Sequence, residues 1–320
     1  MRKSVVSIVR GNDPKETVTE AIDLLGGIEN LVSQGDRVLL KPNFSATLPP
    51  ETGVATDPKI LEVLAGLALR AGSREVVIAE GSGANDLVEM DGLGDVAWRT
   101  GARIVDINKL PEEDIVNVKI ANSHVLREVS LPRILIESDV VINVPKMKTT
   151  MMTVSLGLKN LIGVLPGKGQ FAEWSGRIPR HPFIPAGGKK IIHEIRTDKG
   201  KLDGLRKAVV DLNRVIESDL TVIDGIWAME GAGPIHGRPV KMDLIIAGGD
   251  IVAVEAVGAA VMGFDPKRIE LVKLAVEAGL GTADLNLIEV RGESIEEVRR
   301  GFEPASSKHW KYYLSPPDSS

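Results

Sequence analysis

Val140-Val141-Ile142-Asn143-Val144-Pro145-Lys146-Met147-Lys148-Thr149-Thr150 runs an apolar strand straight into lysines and hydroxyls. A little further on, Ser155-Leu156-Gly157-Leu158-Lys159-Asn160-Leu161-Ile162-Gly163-Val164-Leu165-Pro166-Gly167-Lys168 has helical spacing before a polar loop. Strand, polar turn and helix in this order are the repeating unit of an α/β fold. The stretch is also electrically distinct. From residue 140 to 193, eight Lys/Arg face one acid, Glu173, a net charge of +7 in a chain of −5, which leaves −12 outside it.

The same alternation extends in both directions. Ser4–Arg10, Arg37–Leu40, Glu75–Ala79, Ala102–Asp106, Asp139–Val144, Leu220–Ile223, Asp243–Ala247 and Leu287–Val290 read as strands. Helical patterns fall on 15–32, 86–100, 132–137, 152–164, 201–216, 251–262 and 266–278, and a further one carries Ile60, Leu61, Leu64, Leu67 and Ala68. Asp13-Pro14 and Thr56-Asp57-Pro58 mark helix starts, because Asp caps free N–H groups and Pro tolerates the first turn. Residues 107–130 are less regular, with a β excursion expected around 116–120 and 124–129. The expected architecture is α/β: a largely parallel sheet flanked by helices, with a cleft at the strand carboxyl ends. It is read as a single unit over 1–302, with lobes 1–130 and 131–302 as an alternative and a polar tail from 303 to 320. An echo links Glu137-Ser138-Asp139 and Glu217-Ser218-Asp219, each leading into an apolar strand.

Composition bounds the function. Apolar residues are 43% and aromatics 3%, which suits Val-, Ile- and Leu-rich parallel strands buried on both faces. The chain has no Cys, so it cannot itself ligate an iron–sulfur cluster or use a thiolate nucleophile. No apolar run approaches the roughly 20 residues of a bilayer span. The N-terminus, Met1 to Ile8, does not read as a signal peptide, and a cytoplasmic protein is expected. Net acidity makes nucleic acid an unexpected partner.

Ligands of open α/β sheets bind beyond the strand carboxyl ends. Lys41-Pro42-Asn43, Glu80-Gly81-Ser82-Gly83, Asn143 to Lys146, Asp224-Gly225 and Gly248-Gly249-Asp250 all stand there if the strands are parallel. Each alone is an ordinary turn; together they predict one rim. Lys146, Lys148 and Lys159 are the anion-binding candidates, helped by the N-terminus of a helix beginning near Met152. Lys41, Asn43, Glu80, Ser82, Asn143, Asn160 and Asp250 complete the expected ligand-binding set. The carboxylate- and glycine-rich run Asp224 to Pro234 supplies Asp224 and Glu230 for proton transfer. His193, read beside the helix that carries Asp211 and Asn213, is a further base. No His/Cys metal spacing occurs, and Mg²⁺ held by the oxygens of Asp224, Glu230 and Asp250 is left open. Glu80-Gly81-Ser82-Gly83 followed by Asp86 lacks the last glycine of a dinucleotide fingerprint, and no Walker motif is present.

The run from Val141 to Leu165, the Asp224–Pro234 segment and Ala247-Gly248-Gly249-Asp250-Ile251-Val252-Ala253-Val254-Glu255 resemble the domain of unknown function 362 family. Lys41-Pro42-Asn43, Thr56-Asp57-Pro58, Glu80-Gly81-Ser82 and Met262-Gly263-Phe264-Asp265-Pro266 match the same pattern, which spans residues 35–295. Many members carry ferredoxin-type cysteines, and this chain lacks them. Glu255 stands where the family pattern has Asp. The resemblance implies a site location more than a chemistry. Two functions follow as expectations: an enzyme acting on a small phosphate- or carboxylate-bearing anion, or a protein docking an acidic, redox or RNA partner through the basic segment 140–193.

Overall fold

A computed structural model describes residues 3–81, 87, 92–166 and 199–305. One sheet organises it, in the order β12-β1-β11-β10-β7-β2-β3-β4. The strands are β1 (Ser4–Arg10), β2 (Arg37–Lys41), β3 (Glu75–Glu80), β4 (Arg103–Asp106), β7 (Val140–Asn143), β10 (Leu220–Glu230), β11 (Arg238–Gly248) and β12 (Ile288–Gly292). Their pairings are parallel except for those of β11, which runs antiparallel to both β1 and β10. Two short strands, β8 (Lys146–Thr150) and β9 (Thr153–Ser155), form a hairpin attached to β10. A separate antiparallel pair joins β5 (Ile115–Lys119) to β6 (Glu128–Pro132), the expected β excursion shifted towards Pro132, and the short helix α4 (Arg133–Ile136) follows it.

Period-two alternation splits the core between the sheet's two faces. Leu39, Val77, Ala79 and Ile223 belong to one apolar cluster, whereas Val38, Leu40, Val76, Ile78 and Val222 belong to the other. Helices α1 (Pro14–Asp23), α2 (Pro58–Arg70) and α3 (Leu93–Thr100) cover the second. Helices α6 (Lys199–Asn213), α7 (Ile251–Val261) and α8 (Glu270–Glu277) cover the first. Both expected starts are realised: Asp13 accepts from the Lys15 N–H and Asp57 from the Lys59 N–H. The echo has a shared purpose. Asp139 accepts from the Arg37 N–H of β2, and Asp219 accepts from the Val141 N–H of β7, each locking the entry of its strand to its neighbour.

Several expectations are corrected. The helix expected over 15–32 ends at Asp23, because Gly26 and Gly27 take φ of 107° and 90°, which stops helical winding; Ile28–Asn30 is a separate short 3₁₀ turn. Of the helix expected over 86–100, the described part is α3, and 82–86 and 88–91 lie outside the described residues. Met152–Val164 is not one helix. Pro145 interrupts the chain after β7, Lys146–Thr150 pairs with β10, and a tight turn with Thr153 at φ 80° returns it as β9. Only α5 (Gly157–Asn160) and a 3₁₀ turn, Leu161–Val164, are helical, so no helix N-terminus stands at Thr149. The Asp224 segment is strand as far as Glu230, with a bulge between Gly225 and Trp227. The helix expected over 266–278 is a 3₁₀ turn, Pro266–Arg268, followed by α8.

Candidate functional site

β2, β3 and β7 point their carboxyl ends to one rim, which the longer β10 passes at Thr221–Asp224, and the β8–β9 hairpin folds across it. Short apolar strands set this up: each reaches its end in four to six residues, and the first polar residue after the apolar run is delivered to the same level. The register is direct, with Lys41 beside Asn143 and Asn143 beside Thr221.

Among the described residues, two ion pairs are wholly buried. The Lys41 ammonium meets Glu80 Oε2 at 2.6 Å and also donates to the Pro42 carbonyl at 2.5 Å. Glu80 further accepts N–H groups from Gly81 and Phe44. The Gly163 backbone closes over this pair: a Cβ there would lie 2.6 Å from Glu80 Oε1 and 2.7 Å from Lys41 Nζ. In the second pair, Lys146 Nζ meets Asp224 Oδ2 at 2.8 Å, a contact made by residues 78 apart because β8 lies parallel to β10 with Lys146 beside Asp224. Asp224 also accepts the N–H groups of Asp57 and Ile226.

Lys148 differs from both. Its side chain is buried, and its ammonium donates to Asn43 Oδ1 (2.7 Å), Ser45 Oγ (3.2 Å) and the Val54 carbonyl (2.5 Å), all neutral oxygens. Asn43 starts an amide relay. Its Nδ2 donates to Asn160 Oδ1, Asn160 Nδ2 donates to Asn143 Oδ1, and Asn143 Nδ2 donates to the Gly157 carbonyl. Each donation enriches the same amide's carbonyl, so the relay makes Asn43 Oδ1 a stronger acceptor for Lys148. Burial nevertheless holds the Lys148 amine well below the usual lysine range, and the nearby Lys159 and Lys146 charges push the same way. Burial, with Lys41 close by, brings Lys159 down to about 8, against an opposing pull from Glu255. Lys159 itself is partly exposed at the edge of the cluster. Glu255, on α7, receives the Leu158 N–H at 2.9 Å and is pushed up to about 7 by burial.

Lys41 with Glu80, Lys146 with Asp224, and Lys148 with Asn43, Asn160 and Asn143 therefore form three hydrogen-bonded groups that meet at one rim, with Lys159 at its edge. Others do not join it. Glu230 is held at the far end of β10, where one carboxylate oxygen takes Arg238 and the other takes the Glu303 N–H. Asp250 is on the opposite rim: β11 is antiparallel, so its carboxyl end lies beside Thr221, at the start of β10. There Asp250 caps α7 and accepts from Ser4 and Thr282. The Mg²⁺ trio of Asp224, Glu230 and Asp250 is thus not assembled, and among the described residues no group of three His, Cys, Asp or Glu could hold a metal. Asp211, read as the partner of His193, instead accepts three N–H groups from His124, Val125 and Leu126. Ser82 and His193 lie outside the described residues, as do Lys168, Arg177, Arg180, Lys189 and Lys190 of the basic segment.

Sequence reasoning missed Ser45, Thr56 and Glu255. Thr56 bridges the rim by accepting the Asn43 N–H and donating to the Val144 carbonyl. Its Thr-Asp-Pro signal reads as a helix cap, which it also is. Glu255 carries a signal that was available: an acid in the middle of the otherwise apolar run Ile251 to Val261.

Fold and site together define an α/β protein with a buried, lysine-dominated polar network at the carboxyl rim of a mostly parallel sheet. The chain belongs to the family described as domain of unknown function (DUF362), which matches residues 38–260. It is 28% identical over 272 residues to the thylakoid-associated protein sll1697 of Synechocystis sp., covering 81% of this chain and 73% of that protein. Among solved structures, the lactate racemase apoprotein from Thermoanaerobacterium thermosaccharolyticum aligns with a TM-score of 0.46 and 11% identity. That alignment covers 80% of this chain and 57% of the racemase chain.

Proposed function

We propose that the chain binds a small phosphate- or carboxylate-bearing anion at the carboxyl rim and acts on it by acid–base chemistry. One observation carries the reading: Lys148 is a buried amine whose hydrogen bonds among the described residues all go to neutral oxygens, with the Lys146 and Lys159 charges close enough to depress its pKa. Lys41 and Lys146 have dedicated carboxylates, whereas no described carboxylate bonds Lys148. A ligand anion beside Lys148 and Lys159 relieves their mutual repulsion and restores both to the charged form. Asp224, held by Lys146 and two N–H groups, is the carboxylate that this reading assigns to proton transfer, with His193 as a second base. Asn43, Asn143 and Asn160 orient the lysine and the ligand. Burial of Lys146 and Lys148 favours a small ligand over the docking of an acidic, redox or RNA partner.

The test is thermal stabilisation by inorganic phosphate and by a panel of phosphate- and carboxylate-bearing metabolites. We expect the wild type to be stabilised and a Lys148→Met/Lys159→Met variant to lose most of that gain. Equal stabilisation of the double variant would overturn the proposal. A cytoplasmic location belongs to the same proposal, and fractionation of the native protein with membranes would overturn it.

A further inference from the structure

Glu255 is a carboxyl group on a helix all of whose residues are buried, and it points at the network from beneath α5. Its Oε2 accepts the Leu158 N–H and the Gly157 N–H also bears on the carboxyl, while its Oε1 makes no hydrogen bond of standard geometry among the described residues. A buried carboxylate oxygen without a donor is costly, and protonation of the group removes that cost. Lys159 of α5 is the charged side chain whose field acts on it. Charges of the elements packed against α7 are engaged elsewhere: Asp224 with Lys146, Glu230 with Arg238, Lys241 with Asp243, Glu270 with Lys273, Lys267 with Asp284, Glu296 with Arg299, and Arg10 with the Glu297 carbonyl.

We infer that Glu255 is the proton-holding group of the anion site: neutral when an anion is bound beside Lys159, ionised when the site is free. Anion binding then takes up a proton from solvent onto the Glu255 carboxyl, in addition to whatever protons recharge Lys148 and Lys159, and no other bond is made or broken. Glu255 acts through Lys159 and the Gly157–Leu158 backbone, so it is a positioning residue. The inference rests on the anion-site reading and adds a proton to it. Its sign follows from charge: a carboxylate near a bound anion is repelled by it, so the anion raises the carboxyl's pKa. Burial already places that pKa at about 7. Affinity therefore falls as pH rises above this value, by at most about tenfold per pH unit for one linked proton.

Sulfate is the probe, because it does not titrate in this range. Sulfate binding to the full chain is measured by calorimetry at a pH of about 7.5 in two buffers of different ionisation enthalpy, which counts protons taken up. We expect the wild type to take up more protons than Glu255→Gln by a substantial fraction of one proton, the uptake that persists in the variant belonging to Lys148 and Lys159. Binding without proton uptake, or equal uptake by both proteins, overturns the inference. If Glu255→Gln does not fold, infrared difference spectra of the wild type decide: sulfate must produce the carbonyl band of a protonated carboxyl, and its absence overturns the inference. A wild type that binds no sulfate at any pH overturns the anion-site reading itself, a different result from binding without protons.

Discussion

Removing Asp224 while leaving Lys146 in place is the most direct test of how the rim is held together. Both side chains are fully buried and their charged atoms lie 2.8 Å apart. At an effective dielectric constant of about 20, the attraction at that distance is about 6 kcal/mol, and desolvating the two ions costs several kcal/mol each. The pair is therefore close to neutral as a unit, but either half alone is an unpaired buried charge. Asp224→Ala also strips the Asp57 and Ile226 N–H groups of their acceptor. The expected loss is about 3–5 kcal/mol, or roughly 5–7 °C in melting temperature for a chain of this length. Lys146→Met/Asp224→Leu removes both charges and is expected to recover to within about 2 kcal/mol of wild type, the residue being the two orphaned N–H groups. Urea unfolding followed by far-UV circular dichroism gives both numbers. A loss below about 1 kcal/mol for Asp224→Ala, or a double variant no more stable than the single, would refute the reasoning.

Three further outcomes follow from the same geometry. Gly163→Ala places a methyl group against the Lys41–Glu80 pair and should cost about 1–3 kcal/mol; a neutral result in chemical denaturation would mean that the loop yields freely. Asp211→Ala leaves three N–H groups of residues 124–126 without their acceptor. It should cost at least about 3 kcal/mol and speed amide exchange at His124, Val125 and Leu126 before the sheet opens. Glu255 sets a pH dependence of unusual sign. Its folded pKa of about 7 lies above the ordinary glutamate value of 4.5, so its favourable contribution is complete below 4.5 and is lost as pH rises to about 7. That loss is about 3 kcal/mol, and Glu255→Gln should flatten the stability profile across this window, measured by melting temperature against pH. A parallel profile for the two proteins would show that Glu255 does not titrate there.

Much of the fold is legible in the chain itself. Arg37–Lys41 and Val140–Asn143 are apolar on both faces, as central parallel strands must be, and Asp13-Pro14 and Asp57-Pro58 start helices by local hydrogen bonding alone. The rim residues Lys41, Glu80, Asn143 and Asp224 could be found because a polar residue ending an apolar strand has few other places to go. The sequence did not reveal β8. Its alternation of Lys146, Met147 and Lys148 looks like a solvated basic turn, and only a tertiary partner, Asp224 for one lysine and Asn43 with Val54 for the other, makes burial of both tolerable. Strand direction was equally hidden. An apolar run reads the same in either sense, so nothing in Leu244 to Ala247 says that β11 runs against its neighbours. That one reversal moves Asp250 from the expected site to the opposite rim. Local residue chemistry determined which segments are strands and which polar groups end them; long-range pairing decided which of those groups meet, because hydrogen-bond partners far apart in sequence leave no periodicity to read.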